Sequence, residues 1–133
     1  MAKTKLALGV AVALLVAAGA GWYWGASGRW AADRSLQAAE LRSDLVEARG
    51  RLLDGRVALY NINFGEATGH LEAARGLLRS ARERLNSLGR QDDTKRLDLA
   101  LTKIDEAQRM AGQLDQGANT RVAEAVKTIE EIR

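Results

Sequence analysis

An all-α chain is predicted by three features of the sequence. None of its 133 residues is proline, it is rich in alanine, leucine, arginine and glutamate, and its apolar residues recur every three or four positions. Proline would break a helix by removing an amide donor, and its absence leaves long helices unopposed. The first thirty residues are too apolar to belong to a water-facing body. The chain therefore divides into a short cytoplasmic N-terminus (1–5), a transmembrane anchor (6–25), a hinge (26–30) and a small antiparallel helical-hairpin or four-helix domain (31–133).

The anchor comes first. Residues 6–24 carry no charge, and at 1.5 Å per residue they cover about 28 Å, close to the hydrocarbon thickness of a bilayer. Lys3 and Lys5 precede this stretch while Arg29, Asp33 and Arg34 follow it, so the basic excess keeps the N-terminus cytoplasmic and sends the domain outward, to the periplasm of a double-membraned cell. Trp22, Tyr23, Trp24 and Trp30 stand where aromatic rings settle between acyl chains and headgroups. A cleaved signal peptide is the competing reading, because Ala18, Gly19 and Ala20 have the small-x-small form of a cleavage site. The aromatic cluster that follows directly favours an uncleaved signal anchor in the inner or plasma membrane.

Gly9, Ala13, Ala17, Gly21 and Gly25 recur every four residues along the anchor, ending in a GxxxG. Small side chains let a neighbouring helix approach closely, which makes this stripe a membrane packing face. The stretch contains no ionisable residue, and so offers no proton relay, ion site or haem ligand.

Gly25, Ala26, Ser27 and Gly28 read as a small-residue hinge. Beyond it Leu41, Leu45, Ala48, Leu52, Leu59 and Ile62 form one stripe, predicting a first helix over about 31–61. The next stripe changes phase: Phe64, Leu71, Leu78 and Leu85 are spaced by seven, and so are Ala67, Ala74, Ala81 and Leu88. That shift predicts a turn at 61–65, with Asn63 capping the second helix (64–88) and Glu66 reaching back in a capping box, one long helix with a stutter being the alternative. Gly89 closes this helix in the left-handed conformation, and Asp92 and Asp93 place negative charge at the start of a third (92–115). The third helix is expected to bury Leu97, Leu101, Ile104, Ala107, Ala111 and Leu114. A fourth (119–132) is expected to bury Val122, Ala125, Ile129 and Ile132. Short turns make the four fold up and down on one another, with Tyr60 and Phe64 plugging the first turn.

Phe64, Ala67, Leu71 and Ala74 follow the spacing of the second helix of a tetratricopeptide repeat, and residues 63–78 resemble that family over about sixteen positions. The first-helix half departs from the pattern, with only Gly55 matching and Arg51 and Ala58 where tryptophan and tyrosine are usual. The resemblance implies stacked hairpins that present a surface to protein partners.

Chemistry is sparse. Without cysteine there is no disulfide, thiolate nucleophile or cysteine-bound metal, and a single histidine, His70, rules out a multi-histidine metal site. The carboxylate pairs Asp92/Asp93, Asp105/Glu106 and Glu130/Glu131 are sequence neighbours that diverge on a helix instead of facing each other. No phosphate-binding loop or nucleophile elbow is present, and no cofactor is expected. Arg75, Arg79, Arg82 and Arg84 make the second helix locally basic and are the candidate docking residues for an acidic partner or lipid headgroups. Nucleic acid is not an expected partner. Lys3 and Lys5 are two of the twenty basic residues, so the remainder sets eighteen against seventeen acidic ones and exerts little pull on a phosphate backbone.

Span, helical domain and absent chemistry together point to a non-enzymatic accessory subunit of a larger membrane complex, respiratory, photosynthetic, transport or envelope, with integral membrane subunits and the lipid bilayer as partners. A homo-oligomer is the alternative: a coiled-coil, envelope-organising protein pairing through the heptads of the second helix. A membrane-anchored, tetratricopeptide-like binding module is a third reading.

Overall fold

A computed structural model describes residues Met1–Arg133, apart from the side chains of Ala2, Lys3 and Leu6. Four helices follow one another, α1 (Ala2–Tyr60), α2 (Phe64–Ser87), α3 (Gln91–Gly112) and α4 (Ala118–Glu130), with no strand among the described residues. Two compact units emerge, Met1–Leu36 and Gln37–Arg133.

The first unit is helical from Ala2 onward. The hinge expected over 26–30 is not a break in secondary structure, and the compact units meet at Leu36 instead. Two glycines cost this segment about 1 kcal/mol each relative to alanine. Local bonds offset part of that cost: the Ser27 hydroxyl donates to the Trp24 carbonyl (2.9 Å) and the Arg29 guanidinium to the Gly25 carbonyl (3.3 Å). No proline is present to remove a backbone donor.

The second unit is an up-and-down ring of four antiparallel helical segments. Its α1 portion contributes Leu41, Ala48, Leu52 and Leu59 to the core. α2 alternates Ala67, Leu71, Ala74, Leu78, Ala81 and Leu85, all fully buried, so alanines admit a close neighbour while leucines fill the space between. Leu97, Ala100, Ile104, Ala107 and Ala111 answer from α3, and Val122, Ala125, Val126 and Ile129 from α4. Thr94, the one buried polar side chain among the described residues, donates to the Arg90 carbonyl.

Ion pairs tie each neighbouring pair of helices. Arg84 joins α2 to Glu40 and Asp44 of α1, and Arg82 and Arg75 join α2 to Asp98 and Asp105 of α3. Lys103 and Glu106 of α3 meet Glu124 and Arg121 of α4. The ring closes where Arg49 of α1 meets Glu130 of α4 at 2.7 Å and Arg56 donates to Asn119 at 2.8 Å. Stacked tetratricopeptide hairpins would lay α3 on α1 and leave α4 without α1 as a neighbour, so the closed ring departs from the arrangement that the resemblance implies.

All three turns use the same device. Ile62, Gly89 and Leu114 have φ of 59°, 72° and 58°. In each case the next residue's amide reaches back five residues, as when Asn63 donates to the Ala58 carbonyl at 2.8 Å, Arg90 to Leu85 at 2.9 Å and Asp115 to Met110 at 2.9 Å. These are Schellman closures, and glycine suits their left-handed residue best. Ile62 and Leu114 therefore leave the apolar stripes in which they were expected and stand exposed at the turns. Tyr60 likewise faces solvent and does not plug the first turn, while Phe64 packs against the core edge. α3 and α4 end at Gly112 and Glu130, earlier than the predicted 115 and 132. Ile62→Gly and Leu114→Gly should each stabilise the chain by about 1 kcal/mol, because a branched or bulky residue at positive φ is strained. A thermal melt checks this, and an unchanged or lower midpoint would show that these side chains make stabilising contacts instead.

The cap on α2 differs in detail from a capping box. The Glu66 amide donates to Asn63 Oδ1 at 3.3 Å, as predicted. Glu66 Oε2, however, accepts from the Asn63 side-chain amide (2.6 Å), because the Asn63 backbone amide is already bound to Ala58.

Candidate docking surface

The four arginines of α2 are mostly committed within the chain. Arg75 bonds Glu72, Asp105 and Gln108, Arg82 binds Asp98, and Arg84 spans Glu40 and Asp44. Arg79 alone among them makes no ion pair among the described residues. The basic face expected to dock a partner is thus largely an internal brace, since a guanidinium holding two carboxylates has little free charge to offer.

His70 covers Gly55: a side chain added at Gly55 would meet the His70 Cβ and the Leu71 side chain at 3.5 Å. Its Nε2 lies 3.7 Å from Glu66. The adjacent carboxylates diverge as expected and find separate basic partners. Asp93 takes Arg90 and Arg96, Asp105 takes Arg75, Glu106 takes Arg121, and Glu130 takes Arg49. Among the described residues no three histidine, aspartate or glutamate side chains converge as metal ligands.

Two glutamates are held in their ionised form. A hydrogen bond from Gln108 and then the charge of Arg75 lower Glu72, while hydrogen bonds from Arg121 and Lys103 lower Glu124, both below the ordinary 4.5. A carboxyl lowered by folding contributes stability that is complete above its unfolded value and is lost as pH falls through the folded one. The melting midpoint is therefore expected to drop on acidification below about pH 4.5, and Glu72→Gln with Glu124→Gln should flatten that part of the profile. An identical acid limb in the double variant would assign the loss to other groups.

A groove of about 1150 Å³ opens where α4 ends and α1 continues, lined by Leu41, Leu45, Val46, Ile129 and Ile132 with Arg42, Arg49, Arg90 and Arg133 at its rim. Arg49 is held by Glu130, and Arg90 by Asp93 and the Arg133 carbonyl. Arg42 has no bonded partner among the described residues. The groove exists because α4 closes at Glu130 while α1 has no matching stop, so part of the α1 stripe lacks a cover. Nothing in the sequence pattern marks it, since it depends on where two distant segments end relative to each other.

Within the first unit the stripe Gly9, Ala13, Ala17, Gly21 and Gly25 lies open, and a Cβ added at any of its glycines would meet nothing within 4 Å. On a helix of 3.6 residues per turn, five residues at steps of four rotate through about 160°, the inclined ridge along which right-handed helix crossings pack. Trp22, Tyr23, Trp24 and Trp30 are all largely exposed. The three consecutive rings point about 100° apart and so girdle the helix.

The fold and these surfaces define a class: an all-α chain with one long apolar N-terminal helix and a helical bundle whose charged side chains chiefly brace one another. Comparison with family models, curated proteins and solved structures finds no match.

Proposed function

We propose that this protein is a single-span, non-enzymatic accessory subunit of a larger membrane assembly, anchored by residues 6–25 and docking through the bundle outside the cytoplasm. One observation carries the reading: an uncharged helical window with mean hydropathy 1.7 has none of its residues buried. Leu8, Val10, Val12, Leu14, Leu15 and Val16 all stand more than half exposed. In water such a face would cost about 25 cal/mol for each Å² of apolar surface, whereas acyl chains or another protein's span remove that cost. A buried core helix passes the same hydropathy test but would be covered by its own chain.

The interfacial girdle and the open small-residue ridge support anchoring and packing respectively. The heptads of α2 do not support pairing between copies, because Ala67, Leu71, Ala74, Leu78, Ala81 and Leu85 are consumed by the chain's own core. Alkaline extraction of membranes tests the anchor, with the chain expected to stay in the pellet. Sizing after mild solubilisation tests the assembly, with the chain expected to migrate with larger integral subunits and Gly21→Leu with Gly25→Leu expected to release it. Extraction into the soluble fraction would overturn the anchor, and migration free of any other subunit would overturn the accessory role.

A further inference from the structure

We propose that the outward face of α1 between Ala39 and Tyr60 is a seam on which a second copy of this chain packs in parallel and in register. Ala39, Ser43, Val46, Gly50, Leu53, Val57 and Tyr60 follow one another at alternating steps of four and three, the a and d positions of about three heptads. Six of them lie on the side of α1 away from the core stripe of Leu41, Ala48, Leu52 and Leu59, and Leu53 stands at the margin of that side, packed in part against the core. Leu53 is half-buried and the other six are exposed, including Val46 at 67% and Tyr60 at 82%. Six exposed positions on one face that are all small or apolar are not what a solvated helix face needs, since such a face is ordinarily polar. Ala39, Ser43 and Gly50 allow two backbones to approach, and Val46, Leu53, Val57 and Tyr60 supply the apolar contact.

The flanks identify the occupant. Arg42, Arg49 and Arg56 recur by seven at the position before each a residue, and Glu40, Glu47 and Asp54 recur by seven at the position after the first three of the four d residues. In a parallel, in-register pair a basic flank residue meets the residue five places on in the other copy, so Arg42 faces Glu47 and Arg49 faces Asp54, twice over by symmetry, while Arg56 meets the neutral Asn61. An antiparallel pair would set arginine against arginine and carboxylate against carboxylate. Arg42 and Asp54 form no ion pair among the described residues, and Glu47 has only Arg51 at 3.8 Å. Arg49 already holds Glu130, which makes Arg42 with Glu47 the pair that decides orientation. The seam lies entirely within Gln37–Arg133 and does not need the span, so its failure would leave the anchoring proposal untouched.

The chain has no cysteine, and single cysteines can therefore report the contact directly. Full-length Ser43→Cys, Val46→Cys, Gly50→Cys and Val57→Cys, purified in mild detergent, diluted and oxidised, should each give a disulfide-linked dimer as the main species, because identical positions face one another only in a parallel pair. Glu83→Cys, exposed on α2, should remain monomeric. Adding Arg42→Glu to the Val46→Cys chain should abolish the dimer, and adding Glu47→Arg to that variant should restore it, which a folding defect could not produce. The proposal is overturned by monomer at all four seam positions, by linkage at only one of them, as an antiparallel crossing gives, by equal linkage at Glu83→Cys, or by Arg42→Glu without effect.

Discussion

Leu78→Ala is expected to destabilise the bundle by about 3 kcal/mol, within the ~2–5 kcal/mol range for truncating a buried leucine. Leu78 is fully buried midway along α2, so its truncation opens a cavity within the core. A domain of this size holds about 5–15 kcal/mol in total, and each kcal/mol moves its midpoint by about 4–8 °C, so a fall of roughly 12–24 °C is expected. Val46→Ala, a truncation on the exposed face, should change monomer stability by less than about 0.5 kcal/mol. Melts of the two variants followed by helical circular dichroism check the contrast. Equal shifts would mean that the outer face of α1 is as tightly packed as the core.

The second large effect concerns the apolar N-terminal helix. Val12→Arg places a guanidinium near the centre of residues 6–24, where insertion costs about 3 kcal/mol more than for an apolar residue. That corresponds to roughly a hundredfold change in partition between membrane and water. The expected result is a marked loss of protein from the alkali-resistant membrane fraction, with Gln116→Arg on the exposed turn before α4 leaving it unchanged. Retention of Val12→Arg at the level of the unaltered chain would show that this helix is held by something other than lipid.

Both expectations start from patterns that the sequence displays openly. The uncharged stretch, the phase change after Asn61, the cap at Asn63 and the closing glycine at 89 are local signals, written within a few residues and read through hydrogen-bond chemistry. Helix boundaries set by such signals fall within a residue or so of prediction, as at Phe64 and Ser87. Where no local signal exists the reading drifts: nothing in Gln113, Leu114 and Asp115 announces a left-handed residue, because leucine adopts one only when the surrounding packing imposes it.

The arginines of α2 show a second kind of gap. Their number and spacing are visible in the chain, but their partners are Glu40, Asp44, Asp98 and Asp105, brought alongside only by folding. A run of basic residues reads as a docking face until the acidic residues of neighbouring helices are placed against it. The heptads of α2 and α1 make the same point in reverse, since both satisfy the same spacing rule. One lies against the chain's own core, while the other is left facing outward.

Composition and periodicity thus determined that this chain is helical, that α2 starts at its Asn63 cap and closes before Gly89, and which stretch is long and apolar enough to cross a membrane, because each of these depends on interactions between residues a turn or two apart. Tertiary structure alone decided that α4 closes on α1, which charges are spent internally, and which of two equivalent apolar stripes remains uncovered. Those outcomes depend on which distant surfaces meet, and a period of three and four residues is the same whether the face it marks is buried or bare.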